Sequence, residues 1–205
     1  MKIGIVDIGI GNIGSLKNAL HCQGWDSFLI SKPEDFNGIT HLILPGVGAF
    51  SAAIKRLHES RLFDRIKKFA NEGSPVMGIC LGMQLLADCG TEGGMQLGLG
   101  LIPGRIVPIQ ALGLRLPHVG WNTAQQAQRH RLLEGIRNEV DFYFVHSYRY
   151  MVENNENILA NTDYGEIFPS IVGKGNVVGA QFHPEKSQAN GLRLLDNFCL
   201  WDGKC

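Results

Sequence analysis

Short apolar runs alternate with amphipathic stretches through the first half of the chain, and glycine or proline punctuates each join. Residues 3–8 read as a buried strand, 15–23 as a helix, and 27–30 and 41–44 as two further strands. Leu62, Ile66, Phe69 and Ala70 form a helical stripe among Arg, Lys and Asp, and Gly73-Ser74-Pro75 ends it before the next apolar run, Val76, Met77 and Ile79. Beyond residue 105 the runs shorten and become β-like, at 106–109, 142–150, 158–160, 167–172 and 177–182, before 192–200 closes the chain as a helix. The polar, glutamine-rich stretch 122–131 is expected to be a long exposed loop. Strands alternating with helices predict an α/β architecture, and without repeats or a linker the 205 residues form one domain.

Composition narrows the partners. Formal net charge is zero and the pI is about 7.0, so neither nucleic acid nor an anionic membrane is expected to bind. The five cysteines, Cys22, Cys80, Cys89, Cys199 and Cys205, are an odd set without C-x-x-C spacing, which fits a reducing, cytoplasmic setting better than a disulfide framework. No apolar run approaches the length of a membrane span or a secretory leader, so a soluble, unsecreted chain is expected.

The most informative chemistry lies at Gly78-Ile79-Cys80-Leu81-Gly82, where an apolar run gives way to helical Met83, Leu85 and Leu86. A sharp strand-to-helix turn has no room for side chains beside the backbone, so glycines suit both flanks, and the cysteine is pushed out at a helix N-terminus that favours a thiolate. The Leu81 N–H then faces the place where a carbonyl oxygen becomes negative during acyl transfer. A thiol nucleophile needs an oriented base, and His183-Pro184-Glu185, after the apolar run 177–182, supplies one. Proline biases His183 toward extended geometry, which lets Glu185 hold one imidazole nitrogen while the other faces the thiol. The order Cys80, His183, Glu185 differs from that of α/β-hydrolases, where the acid precedes the histidine. The same three residues are potential zinc ligands, but no fourth ligand stands at close spacing, so no metal is expected.

Two glycine loops compete for attention. Gly9-Ile10-Gly11-Asn12-Ile13-Gly14 matches G-x-G-x-x-G between a strand and a helix, yet the second strand ends Ile30-Ser31-Lys32 without the acid that would hold a ribose; no dinucleotide or other cofactor is expected. Pro45-Gly46-Val47-Gly48 follows the third strand and should share the Cys80 rim, with the Val47 N–H as a second oxyanion donor. His146, in an apolar run, reads as a satisfied core histidine, and Cys89 as a residue lining the helix that follows Cys80. His21, His41, His58 and His130 read as structural or exposed.

Assembled, these residues resemble the class I (triad) glutamine amidotransferases, and within them the glutaminase subunits of imidazole glycerol phosphate synthase. The resemblance runs nearly end to end, through Leu44-Pro45-Gly46-Val47-Gly48, Gly78-Ile79-Cys80-Leu81-Gly82-Met83-Gln84-Leu85-Leu86, Pro117-His118-Val119-Gly120-Trp121-Asn122, Tyr143-Phe144-Val145-His146-Ser147-Tyr148 and Gln181-Phe182-His183-Pro184-Glu185-Lys186-Ser187. It implies a mixed, mostly parallel central sheet flanked by helices, with extra short strands in the C-terminal half. It also implies a Cys80–His183–Glu185 triad, oxyanion donors at Val47 and Leu81, and glutamine held by Gly48, Gln84, Ser147 and Tyr148. Gly9, Ile10, Gly11, Asn12, Trp121, Asn122, Tyr143 and Lys186 would face a (β/α)8-barrel cyclase that consumes the ammonia. Ile8 and Gly14 depart from the family pattern, which commonly has an aromatic and a larger or basic residue there. The same motifs leave room for a paralogous glutaminase serving surface-sugar amination, for a stand-alone thiol hydrolase, and for a glutamine-sensing module that no longer catalyses.

Overall fold

The computed structural model describes residues 1–204. In chain order the first half contains β1 (Ile3–Val6), α1 (Ile13–His21), β2 (Ser27–Ile30), β3 (His41–Gly46), α2 (Phe50–Glu59), α3 (Leu62–Asn71), β4 (Val76–Cys80) and the short α4 (Leu81–Leu85). The second half contains β5 (Cys89–Gly90), β6 (Gln96–Leu97), β7 (Gly104–Pro108), β8 (His118–Gln126), β9 (Val140–His146), β10 (Tyr148–Val152), β11 (Ile158–Asp163), β12 (Ile167–Lys174), β13 (Val177–Ala180) and α5 (Gln188–Leu200). Nine strands make one mixed sheet in the order β2-β1-β3-β4-β13-β12-β11-β8-β9, parallel from β2 to β13 and antiparallel from there on. A second sheet, β10-β7-β5-β6, lies beside it.

Alternation along the parallel strands explains the layers. On β3, Ile43 packs with Leu16, Leu20, Leu194 and Phe198 of α1 and α5, whereas Leu42 and Leu44 pack with Ile54, Leu57, Ile66 and Phe69 of α2 and α3. Strands covered on both faces by helices must be apolar on both, which is why β3 and β4 read as unbroken hydrophobic runs and are buried at every position. The stripe Leu62, Ile66, Phe69 and Ala70 is buried as its spacing predicts.

Three expectations need correction. Residues 122–131 are not a long loop: β8 continues to Gln126, pairing with β9 along its length and with β11 at Gln125 and Gln126. Its inward positions include His118 and Asn122, so the strand buries polar groups and shows little apolar alternation in sequence, while Trp121 stands on the exposed face. The run 142–150 is two strands in different sheets, broken at Ser147. Cys89 does not line a helix, because α4 stops at Leu85 and Cys89 opens β5.

The β4–α4 junction has no spare volume. A Cβ on Gly82 would lie 1.6 Å from the Leu44 carbonyl oxygen, and one on Gly78 2.5 Å from the Gly82 carbonyl oxygen. The helix start is therefore pressed onto β3 and β4, and the turn places Cys80 at φ 54°, ψ −112°. An L-residue in that region is strained by roughly 1–3 kcal/mol, which glycine would relieve. Cys80→Gly should accordingly unfold at a higher temperature than Cys80→Ala, reversing the usual order of the two residues. Scanning calorimetry of the pair checks this, and a more stable Ala variant would contradict the strain.

Candidate active site

Strand register brings the distant parts of the site together. β13 runs parallel to β4 with Gly179 beside Gly78 and Ala180 beside Ile79, so the chain leaving β13 delivers His183 next to Cys80. The His183 backbone is then pinned from both sides. Its N–H donates to the Tyr143 carbonyl at 2.9 Å, and its carbonyl accepts the Ser187 hydroxyl at 2.6 Å. His183 is extended (φ −98°, ψ 97°) and the next three residues form a 3-10 turn, which brings Glu185 back to it. His183 Nδ1 meets Glu185 Oε1 at 2.9 Å, both side chains about 5% exposed or less, and Cys80, whose thiol donates to the Val145 carbonyl at 3.7 Å, is the ring's other polar neighbour. Glu185 Oε2 is buried with no hydrogen-bond partner among the described residues, so the imidazole is the carboxylate's one hydrogen-bonding neighbour.

The electrostatics favour a protonated imidazole. Burial by itself lowers the His183 pKa, but hydrogen bonds to Cys80 and Glu185 and the charges of both outweigh it and raise the value to about 9. At neutral pH His183 can therefore stand as an imidazolium between the Cys80 sulfur and the Glu185 side chain.

A cavity of about 450 Å³ opens onto the thiol. Its lining includes Val47, Gly48, Cys80, Leu81, Gln84, Ser147, Tyr148, His183 and Lys186, so the residues expected to react with or hold a substrate share one rim, with Glu185 behind His183. Of the expected partner-facing residues, Lys186 alone belongs to the lining. The 9–12 loop is not part of the lining; it sits beside Pro45, with the Arg56 guanidinium bonded to the Ile8 and Gly9 carbonyls at 2.9 and 3.0 Å. Trp121 is about half exposed and meets the Tyr143 ring edge-on at 6.0 Å, and Lys186 Nζ lies 5.8 Å from the same ring. Asn122 is only half-buried and turns its amide inward, to the Asp163 carbonyl at 2.9 Å.

Sequence reasoning missed two contributors. Gln181, fully buried, donates from Nε2 to the Cys80 sulfur at 3.8 Å and accepts from Gln84 Nε2 at 3.1 Å, so a neutral donor faces the sulfur whatever its charge. Its place two residues before His183 on an extended strand was the available signal. Glu92 is the one carboxylate in the cavity lining, and its Oε2 accepts the Phe50 N–H at the start of α2 at 2.7 Å. His146 is the satisfied core histidine that was expected, since both its nitrogens are bonded, and it also reaches the cavity wall. Among the described residues no group of three or more His, Cys, Asp or Glu side chains is placed to hold a metal ion, and no helix is long and apolar enough to cross a membrane.

Residues 5–201 match the family model described as glutamine amidotransferase class-I. The imidazole glycerol phosphate synthase subunit HisH of Desulfitobacterium hafniense is 48% identical over 97% of this chain and 94% of its own length, and that of Aquifex aeolicus is 42% identical over 97% and 96%. This chain is a class I glutamine amidotransferase of the HisH family. A solved structure titled as a glutamine amidotransferase superposes on 98% of both chains with a TM-score of 0.78 at 25% identity.

The imidazolium sets a pH dependence. A group whose pKa rises on folding stabilises the folded state fully below its ordinary value of 6.5, and that contribution is lost as pH climbs through about 9. Glutamine turnover should likewise fall as pH rises through about 9, because the proton a leaving amine needs is then gone. Glu185→Gln removes one raising influence, so its alkaline limb should lie at lower pH. A pH–rate profile with an unmoved limb would refute this assignment.

Proposed function

We propose that Cys80, His183 and Glu185 hydrolyse the side-chain amide of glutamine, and that the ammonia passes to a (β/α)8-barrel cyclase making imidazole glycerol phosphate and AICAR in histidine biosynthesis. The observation that carries this reading is the line from sulfur to imidazole to buried carboxylate at the edge of a single cavity. In the first half-reaction the Cys80 thiolate adds to the amide carbon. The oxygen then becomes negative between the Leu81 and Val47 amides. Collapse of the adduct breaks the C–N bond as His183 gives its proton to nitrogen, releasing ammonia and leaving a thioester. A water then gives a proton to the same imidazole and its oxygen to the acyl carbon, which yields glutamate and restores the thiolate.

Substrate contacts follow from the lining. Gly48, Gln84, Ser147 and Tyr148 hold the glutamine, and Glu92, the one carboxylate in the lining, faces its α-ammonium. Val47 sits on an exposed loop just before Gly48, whose φ is +101°. Turning its peptide away from the cavity would remove one oxyanion donor and cost about 3–4 kcal/mol of transition-state stabilisation, so partner docking near this loop can switch the rate. The names of the relatives favour a synthase subunit over a paralogue of sugar amination or a stand-alone hydrolase.

Two measurements test the reading. Cys80→Ser, assayed with the barrel subunit, should lose at least about 10³-fold in kcat, and a glutamine-like electrophile should label Cys80 in the unaltered chain alone; retained turnover would end the proposal. Trp121→Ala should weaken binding of the barrel subunit by about 2 kcal/mol or more, as a half-exposed tryptophan at the centre of a docking face would, and an unchanged Kd by calorimetry would remove Trp121 from that face.

A further inference from the structure

A line of hydrogen bonds runs inward from strand β8 toward the nucleophile, and its direction can be read independently at each end. At the β8 end, Asn122 Oδ1 accepts the Thr123 N–H at 2.8 Å and Asn122 Nδ2 donates to the Asp163 carbonyl at 2.9 Å. A backbone N–H can only donate and a carbonyl can only accept, so these two contacts fix which way the amide points. The second Nδ2 hydrogen faces His118 Nε2 at 3.2 Å, and that nitrogen must accept it. The His118 proton is therefore on Nδ1, which meets His146 Nε2 at 3.0 Å. His146 in turn carries its proton on Nδ1 and donates it to the Tyr148 carbonyl at 2.9 Å. Starting from that carbonyl and working back gives the same assignment. A second proton on either ring would set two hydrogens face to face.

Two further features agree. Burial lowers the pKa of His118 to about 4 and that of His146 to about 3, so both rings are neutral over the working range. His118 lies between the Tyr164 ring at 3.9 Å and the Phe144 ring at 4.9 Å, a slot an apolar ring would fill at no polar desolvation cost. Beyond Tyr148 the line continues. The same carbonyl accepts Gln84 Nε2 at 3.3 Å, Gln84 also donates to Gln181, and Gln181 donates to the Cys80 sulfur.

We propose that Asn122, His118 and His146 are positioning residues, a polarity-locked strut that sets the Ser147–Tyr148 turn and the Gln84–Gln181 pair at a fixed distance from Cys80. The role rests on the proposed glutaminase reading, in which that turn holds the substrate. It gives β8, the strand that also carries Trp121, a direct mechanical line into the glutamine pocket. The strut acts on substrate binding and leaves the triad itself unaltered.

The test separates the strut from simple packing. Long-range ¹H–¹⁵N correlation spectra of the unaltered chain should show both His118 and His146 as the neutral Nδ1–H tautomer; an Nε2–H tautomer on either would overturn the proposal. His118→Phe keeps the stacked ring and removes both nitrogens. With saturating barrel subunit it should raise the glutamine KM about tenfold, the worth of one buried hydrogen bond, while kcat stays within about twofold and thermal stability does not fall. Asn122→Asp, which presents an acceptor to His118 Nε2, should move a proton onto that nitrogen in the spectra and raise KM in the same way. An unchanged KM in both variants would reduce the histidines to packing and defeat the proposal. An unaltered complex that turns over no glutamine would instead overturn the glutaminase reading, and the tautomers would still decide the strut.

Discussion

The contact on which the site depends is a backbone one: the first turn of α4 lies against the Leu44 carbonyl with only a hydrogen atom's room at Gly82. Because the helix starts this close to β3 and β4, the chain must turn within one residue, and that residue is Cys80 in a conformation most L-residues avoid. The strain is held by packing on every side, since β4 and α4 are buried throughout. An exposed loop could not hold it. Cys80 is thus placed by closely packed core elements, which leave it little room to drift relative to His183.

The base reaches it by a different route. His183 lies a hundred residues away, yet the parallel register of β13 on β4 brings it alongside with no adjustable loop in between. Its orientation is then over-determined by β9: Tyr143 holds the main chain through its carbonyl, and the Tyr143 N–H bonds the same Ser187 hydroxyl that caps the His183 carbonyl. The Tyr143 side chain contacts both Trp121 and Lys186. One residue therefore contacts both the half-exposed Trp121 and the backbone of His183.

What could be read from sequence divides along physical lines. The parallel strands were legible because burial on both faces demands continuous apolar runs, and the elbow because only glycine fits where backbones touch. The surroundings of Cys80 and of His183 and Glu185 were legible as two short motifs whose local geometry is self-contained; their union depended on register, which no residue pattern states. β8 was misread as a loop because its inward positions hold His118 and Asn122, whose hydrogen bonds take the place of apolar burial. The break at Ser147 was invisible for a related reason, since the residues on both sides are apolar or aromatic and only the change of sheet reveals it. Gln181 and Glu92 escaped because single polar residues acquire meaning only from what they face.

The polarity of the site bears on what the proposed partner would do at its open side. Around the thiol the groups are polar and buried: an imidazolium, a carboxylate with one free oxygen, two glutamines and two neutral histidines. Such groups interact strongly where water is excluded and weakly where it is not. The open side of the cavity is bounded by Val47, which is 43% exposed, and by Pro117 and Lys186, while Trp121 and Val119 stand on the exposed face of β8, 49% and 56% exposed. Covering that side would dry the cavity, strengthen the oxyanion contacts and keep released ammonia from taking a proton from solvent. A partner surface that buried the large apolar side chains at the rim would, on the proposed reading, supply seal and activation in one step.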